Sequence, residues 1–467
     1  MPDNIPLGAV KRHLQMAYWR SKWIFKRRPQ QVIDRLPTEL LIQVFLHCLS
    51  SKSFPRPSVR EAPILLTRVC RRWRALAPSV PQLWAAISLG RSWSEARDLK
   101  ALDVWINRSQ SHPLCFSFTH SVDYRCYGKL VQEILPQIHR WKAFYCAASD
   151  RCRCFLAINK ALSIPNNALL LNDFRFIKTE GENPRVVTVR AAPQMSTLYV
   201  GGDSVLYPIA PLCNKFHAMR ELRIHKCPNV VSCLHTVNRC PSLQILEIAW
   251  LNHPYTPRMP HIEMHSMPHL HTFLVTGSLE KACSFIECIQ APSLLRLTIF
   301  SPAVERWDEW NIWEGVVKLI KRSVCHLEEF RVDGMISPSI GIAEVLRCTP
   351  SLKSLTVGRY GLILTHMDAL KPSFDMSYTL CPQLNRFEFL GELSSADLLQ
   401  IATTIFHRRR YSQRWSQTNV SPQTVLFELK GYIPQFISYY DVPEYINDGM
   451  TVAELDCSQA WWVSEVL

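Results

Sequence analysis

A chain of 467 residues with 47% apolar and 20% charged side chains can bury a core, which excludes a wholly disordered polymer; at about 150 residues per domain it makes two or three domains or one elongated solenoid. The formal charge of +14 at first points to nucleic acid, but residues 1–80 hold 15 Lys/Arg against 4 Asp/Glu, a net of +11, leaving +3 for the other 387. That near-neutral body disfavours a nucleic-acid partner, and 15 glycines beside 31 prolines disfavour a Gly-rich phosphate-binding fold.

No run of 18 apolar residues and no signal-peptide core is found, so neither a membrane span nor classical secretion is expected. The 17 cysteines are odd in number and scattered, with Cys152 and Cys154 the closest pair. Reduced thiols in cytoplasm or nucleus are the expectation, several of them (Cys240, Cys348, Cys381) as small buried hydrophobes beside apolar runs.

Residues 1–30 form a basic arm in which Lys11, Arg12, Arg20, Lys22 and Lys26 to Arg28 alternate with Tyr18, Trp19, Trp23 and Phe25. It reads as a flexible solvated arm or a short helix, with nuclear import or an anionic surface as the alternative. From Ile33 the pattern turns helical. Leu40, Leu41, Val44, Phe45, Cys48 and Leu49 share one helix face, and Pro37 suits its first turn. A polar stretch from Ser50 to Pro63 interrupts, and a second helical run then places Leu65, Leu66, Val69, Cys70, Trp73 and Leu76 on one side, ending before Pro78.

Leu36-Pro37-Thr38-Glu39-Leu40, then Val44-Phe45, then Val69-Cys70-Arg71-Arg72-Trp73 resembles an F-box, although the 50–63 insertion is wider than a minimal F-box loop. The resemblance covers about a tenth of the chain. It implies docking on the small adaptor subunit of an SCF-type cullin–RING ubiquitin ligase, and through it on the cullin. Carried over by motif position, the docking set is Leu36, Pro37, Leu40, Leu41, Val44, Phe45, Val69, Cys70 and Trp73, part of which is internal core. A domain this small cannot bury both faces of its helices, which leaves apolar surface for a partner.

Residues 81–126 read as a connector. Ser92 to Glu95 fits a capping box, Leu99, Leu102 and Trp105 follow on a helical face, and Pro113 to Phe118 fits a strand. Trp105 to Ser109 with Pro113-Leu114 is also similar to the segment after the F-box in large F-box families of mushroom-forming fungi.

Beyond the connector a pattern L-x-x-L-x-[I/V/F], mostly with Pro two residues before it, recurs. Its first positions fall at 195, 219, 243, 270, 294, 327, 352 and 384, in steps of 24, 24, 27, 24, 33, 25 and 32, with weaker copies at Trp141 and Leu171. These steps fit degenerate leucine-rich repeats, with a period of about 20–29 residues and longer variants. Met219, Leu222, Ile224 and Cys227 match the longer consensus, and helical patterns lie between copies at Gly315 to Ser323 and Ser394 to Phe406. In each repeat the second, fourth and sixth positions after the first Leu should face a concave solvent side. That set holds Arg175, Tyr199, Arg223, His225, Arg296, Phe300, Arg331 and Arg386, the expected target-binding residues, with the acids Asp173, Glu221, Glu247, Glu329, Asp333 and Glu388 among them. Both signs with a few aromatics suit a protein or peptide rather than a polyanion.

No catalytic motif emerges: G-x-G-x-x-G, P-loop and G-x-S-x-G patterns are missing. His261-Ile-Glu-Met-His265 has its Glu one place late for a zinc-protease helix and sits between Pro260 and Pro268, so no metal is expected there. Arg408 to Arg410 reads as a solvated basic loop, and the acidic tail, with Tyr432, Phe436, Tyr439, Tyr440, Trp461 and Trp462, as a cap on the last repeat.

The expected fold class is therefore α/β: an N-terminal helical F-box followed by a leucine-rich-repeat solenoid, a parallel sheet with helices or irregular returns. The divisions are 1–30 arm, 31–80 F-box-like helical domain, 81–126 connector, 127–430 degenerate repeats and 431–467 tail. The expected function is a non-catalytic, cofactor-free substrate adaptor, the F-box on the ligase and the repeats on an unknown protein target. The alternative is a scaffold of the same fold that joins proteins without ubiquitination.

Overall fold

The structure, a computed structural model, describes residues 36–50, 54–90, 94–118, 128–148, 154–178, 185–187, 192–202, 206–208, 216–227, 229–250, 264–301, 312–334, 341–358, 370, 380–390, 404, 407, 428–431 and 451–454. The basic arm, the 394–406 helical pattern apart from Thr404, Arg408 to Arg410, Cys152 and the aromatics of the tail lie outside these residues.

The helices are α1 (Thr38–His47), α2 (Arg71–Leu76), α3 (Glu95–Ser109), α4 (Gly128–Ile134), α5 (Cys154–Ser163), α6 (Val230–Val237), α7 (Leu279–Glu287), α8 (Ile312–Ser323) and α9 (Gly341–Arg347). The strands are β1 (Ala86–Leu89), β2 (Leu114–Phe118), β3 (Trp141–Ala148), β4 (Asp173–Lys178), β5 (Arg185–Val187), β6 (Thr197–Gly202), β7 (Leu206–Pro208), β8 (Glu221–Cys227) and β9 (Ile245–Trp250). They continue as β10 (His265–Ser266), β11 (Thr272–Thr276), β12 (Ile289–Gln290), β13 (Arg296–Ser301), β14 (Glu329–Gly334), β15 (Ser354–Gly358), β16 (Arg386–Leu390), β17 (Glu428–Gly431) and β18 (Thr451–Glu454). Fourteen of them make one sheet in chain order, parallel throughout, while β5 with β7 and β10 with β12 make two-stranded parallel pairs. An α/β chain whose strand order equals its sequence order winds like a solenoid, each segment meeting only its neighbours.

The periodic apolar pattern explains the winding. All three apolar positions of every copy from Leu171/Phe174/Phe176 to Leu384/Phe387/Phe389 are buried. The residue after the first Leu does the same work in copy after copy. The carbonyl of Ser196 accepts from Arg220 and Glu221 N–H, that of Arg220 from Gln244 and Ile245, that of Gln244 from His271 and Thr272, and that of His271 from Leu295 and Arg296. The proline two places before the first Leu also finds its cause. In Leu243, Leu294, Leu352 and Leu384 the N–H donates three residues back, to Cys240, Ala291, Thr349 and Cys381, closing a turn whose second position is Pro. Cys240 and Cys381 are buried under these turns, while Cys348 is half-buried.

The buried side of the sheet packs against helices that stack on one another, α7 on α8 and α8 on α9, in one core running from Leu41 to Phe389. Arg322, near the end of α8, ties two turns of the winding together: its guanidinium donates to the carbonyls of Ile286 at 2.8 Å and Ile289 at 2.6 Å. Ile286 lies in the last turn of α7 and Ile289 in β12, so one side chain of α8 is bonded to both elements of the preceding turn. Stretch 81–126 supplies β1, α3 and β2, and so the first two strands of the sheet.

Two local expectations are corrected. Helix α3 begins at Glu95 with Ser94 as its N-cap, so Glu95 is the first helical residue and not the third residue of a capping box. The run Leu65 to Leu76 is not one helix. A 3₁₀ turn spans Leu65–Arg68, the backbone is extended at Cys70, and α2 starts after it with Cys70 Sγ accepting from Trp73 N–H at 3.4 Å. This break turns Leu65 and Val69 outward while Leu66 stays buried.

Candidate functional site

Two surfaces contain the residues singled out above. The first is on the N-terminal helices. Leu41 and Phe45, four apart on α1, are fully buried, and Phe45 meets Trp73 edge-to-face at 4.7 Å. Leu40 and Val44, one helical step away, are 53% and 39% exposed, and Leu65 and Val69 are 43% and 55% exposed. The expected docking set is thereby divided. Leu41 and Phe45 are corrected to core, Trp73 packs half-buried against that core, and Cys70 caps α2, so none of these four offers an open apolar face. Leu40, Val44 and Val69 do, joined by Leu65; Pro37 precedes α1 exposed, and half-buried Leu36 accepts the Arg72 guanidinium at 2.6 Å through its carbonyl. That bond pins the start of α1 to α2.

The second surface is the sheet face turned away from the helices. Register aligns Tyr145 with Arg175, Arg175 with Tyr199, Tyr199 with Arg223 and Arg223 with Glu247, one residue from each of five neighbouring strands. Asp173, beside this row, accepts from the Tyr145 hydroxyl at 2.6 Å and pairs with Arg175, whose guanidinium lies 4.6 Å over the Tyr145 ring. Phe54 stacks on that ring at 4.9 Å. It arrives from the 50–63 insertion, where the Pro55 carbonyl accepts from Ser88 N–H at 2.9 Å and so occupies the outer edge of β1. Burial and then the bond to Asp173 push the Tyr145 hydroxyl far up.

Further along, Arg223 pairs with Glu221 at 2.6 Å and Glu247 at 3.3 Å. His225 bridges Tyr199 and Glu247: Nε2 lies 2.6 Å from Glu247 Oε1 and Nδ1 lies 3.1 Å from the Tyr199 hydroxyl. An ionised carboxylate only accepts, so Nε2 carries a proton, and in the neutral ring Nδ1 accepts from Tyr199. Burial by itself would raise the Glu247 carboxyl, but the His225 bond and the His225 and Arg223 charges outweigh it and hold the group below its usual value. Burial, then the Glu247 charge, pushes the Tyr199 hydroxyl up to about 12. A Cβ added at Gly201 would stand 2.8 Å from the Tyr199 hydroxyl, so a substitution there would displace the tyrosine's tip from this cluster.

Neither a protein-family model nor a curated protein matches the chain.

A second charged cluster occupies β13 to β16. Arg296 pairs with Glu329 at 3.1 Å and Arg331 with Asp333 at 3.8 Å; Glu388 accepts from Thr356 at 3.0 Å and faces Arg386 at 4.0 Å. Of the expected target-binding residues, Arg175, Arg223, His225, Arg296, Phe300, Arg331 and Arg386 stand on this face at least partly open. Tyr199 is corrected: at 5% exposure it supports its neighbours and presents no surface. The arginines too differ from expectation, since acids of the same face already hold them. The same spacing puts Tyr145, four places after Trp141, and the half-buried apolar Ile245 and Leu274 on this face, although they are outside the expected set. Nothing in the sequence marks Phe54, which reaches the face from an insertion. Among the described residues no group of three His, Cys, Asp or Glu side chains could hold a metal ion, and no helix is long and apolar enough to cross a membrane. His265 lies in strand β10, paired with Ile289, while His261 and Glu263 lie outside the described residues.

Proposed function

We propose that the chain is a substrate adaptor of an SCF-type cullin–RING ubiquitin ligase, with an F-box at 31–80 holding the ligase adaptor subunit and a leucine-rich-repeat solenoid holding a protein target. The observation that carries this is the exposure of Leu40, Val44, Leu65 and Val69, apolar side chains at and beside the motif positions that dock in that family. Leu40 and Val44 on one face of α1, with Leu65 and Val69 beside the 3₁₀ turn, leave apolar area in water that a partner would remove. The long polar sheet face, with mixed and mutually paired charges, suits a protein target. Chemistry would come from other subunits, and this chain would contribute proximity.

The test is co-purification from cells. Wild type recovers the SCF adaptor subunit, and a Leu40→Asp, Val44→Asp double variant, which leaves Leu41 and Phe45 in place, loses it. Undiminished recovery overturns the docking. Deletion of residues 33–77 should in addition stabilise a bound target against degradation; a target that stays bound with an unchanged half-life is the outcome of the scaffold alternative.

A further inference from the structure

The open apolar residues of the N-terminal unit lie among unbalanced positive charge. The described residues of 36–80 hold six arginines and, as acids, Glu39 and Glu61. Arg56 pairs with Glu61, and Glu39 lies in the first turn of α1. Arg60, Arg68, Arg71 and Arg74 are exposed and pair with no carboxylate among the described residues.

These charges adjoin the open aliphatics. Arg60 follows exposed Val59, and Arg68 and Arg71 come just before and just after Val69. Arg74 donates through Nε to the Thr67 carbonyl at 2.9 Å, which fixes a cation on the 3₁₀ turn that Leu65 opens. Helix α2 packs on α1: Trp73 meets Phe45 edge-to-face at 4.7 Å, and Arg72 holds the Leu36 carbonyl. The arginines and the exposed Leu40 and Val44 therefore belong to one packed unit.

We propose that the partner docked here is a protein surface that is acidic around an apolar centre, and that the arginines speed its arrival while the aliphatics hold it. Four like charges crowded on so small a unit repel one another, a cost that an acidic partner reverses. A nucleic acid would engage the arginines through its phosphates and leave Leu40, Val44, Leu65 and Val69 in water. A second copy of this chain would set the same positive charge face to face. An apolar centre with a charged rim answers both kinds of side chain. The two kinds act at different stages. Rim charges are felt across a Debye length of about 8 Å at physiological salt, so they govern encounter. Apolar contacts form only once the surfaces touch, so they govern release.

This deepens the adaptor reading, on which it rests for the partner used in the test. Association and dissociation of the full chain with the purified SCF adaptor subunit are followed by surface plasmon resonance at about 0.05 and 0.5 M salt. Wild type should associate at least about tenfold faster at the lower salt. Arg60→Gln, Arg68→Gln and Arg71→Gln combined should change by less than about twofold with salt and dissociate within about threefold of wild type. Leu40→Ala with Val44→Ala should keep the salt dependence and dissociate at least about tenfold faster. Amide exchange over residues 38–47 should stay within about threefold of wild type in both variants, which separates a lost contact from a lost fold.

A wild-type association rate indifferent to salt, or an arginine variant that keeps the wild-type salt dependence, overturns the proposal and leaves the adaptor reading standing. A DNA duplex bound by wild type as tightly as the adaptor subunit, and lost by the arginine variant, overturns it in favour of a polyanion. No binding of the adaptor subunit at either salt overturns the adaptor reading and this partner together.

Discussion

Four neighbouring side chains on α1 should separate into two classes when changed singly to alanine. Phe45 is fully buried and edge-on to Trp73, so Phe45→Ala should cost about 3–5 kcal/mol, of which the aromatic contact contributes roughly 0.5–1.5. Leu41→Ala should cost about 2–5 kcal/mol, depending on how far the site collapses. Leu40 and Val44 already stand in water, so their alanine variants should stay within about 0.5 kcal/mol of wild type, with Val44→Ala gaining slightly from the better helix former. A solenoid does not unfold in one step, so a global melting curve would blur this difference. Amide hydrogen exchange over residues 38–47 reads the local opening directly. A 3 kcal/mol loss there accelerates exchange on the order of 10²-fold, while the exposed pair should shift it by less than about threefold. Equal acceleration by Leu40→Ala and Phe45→Ala would refute the division of this helix into a packed face and an open face. So would no acceleration by Phe45→Ala.

The remaining predictions concern the sheet. Glu247→Gln should cost about 1–3 kcal/mol near neutral pH by weakening the bonds to His225 and Arg223, measured by amide hydrogen exchange over residues 221–227 and 245–250 of the variant against wild type. Because the folded carboxyl is held below its usual value, the Glu247 contribution is complete above the ordinary carboxylate range and disappears as pH falls through the lower folded value; the wild-type advantage over Glu247→Gln should shrink over that acidic window, and an advantage independent of pH would refute the assignment. Gly277 follows β11 with φ of +93°, and a Cβ there would stand 2.3 Å from the Trp250 carbonyl oxygen. Gly277→Ala should therefore destabilise by more than about 1–3 kcal/mol, since strained backbone and a backbone clash add, and unchanged amide hydrogen exchange over residues 245–250 and 272–276 would contradict that geometry.

The sequence by itself determined the winding of this chain. Apolar residues at fixed spacing on strands buried on one face admit one register, because a one-residue slip would expose every Leu, Ile and Phe of the copy. That is why the apolar positions from Leu171 to Phe389 were legible as core, and why the prolines before Leu243, Leu294, Leu352 and Leu384 found their turns. The start of the sheet was less legible: β1 holds one short alternation, Ala86–Leu89, and its edge is occupied by Pro55 from an insertion with no pattern of its own.

Tertiary structure alone decided which of the candidate functional residues are open. Leu40 and Leu41 are the same residue type one place apart, and only the packing of α1 on the core buries one and leaves the other exposed. Tyr199 and Arg223 fall on one face of the sheet by period, but burial of the tyrosine and pairing of the arginine depend on His225 and Glu221 of β8 and Glu247 of β9. Periodicity is a property of neighbours along the chain. Solvent exposure and charge pairing belong to neighbours across it, and those exist only once the strands have met.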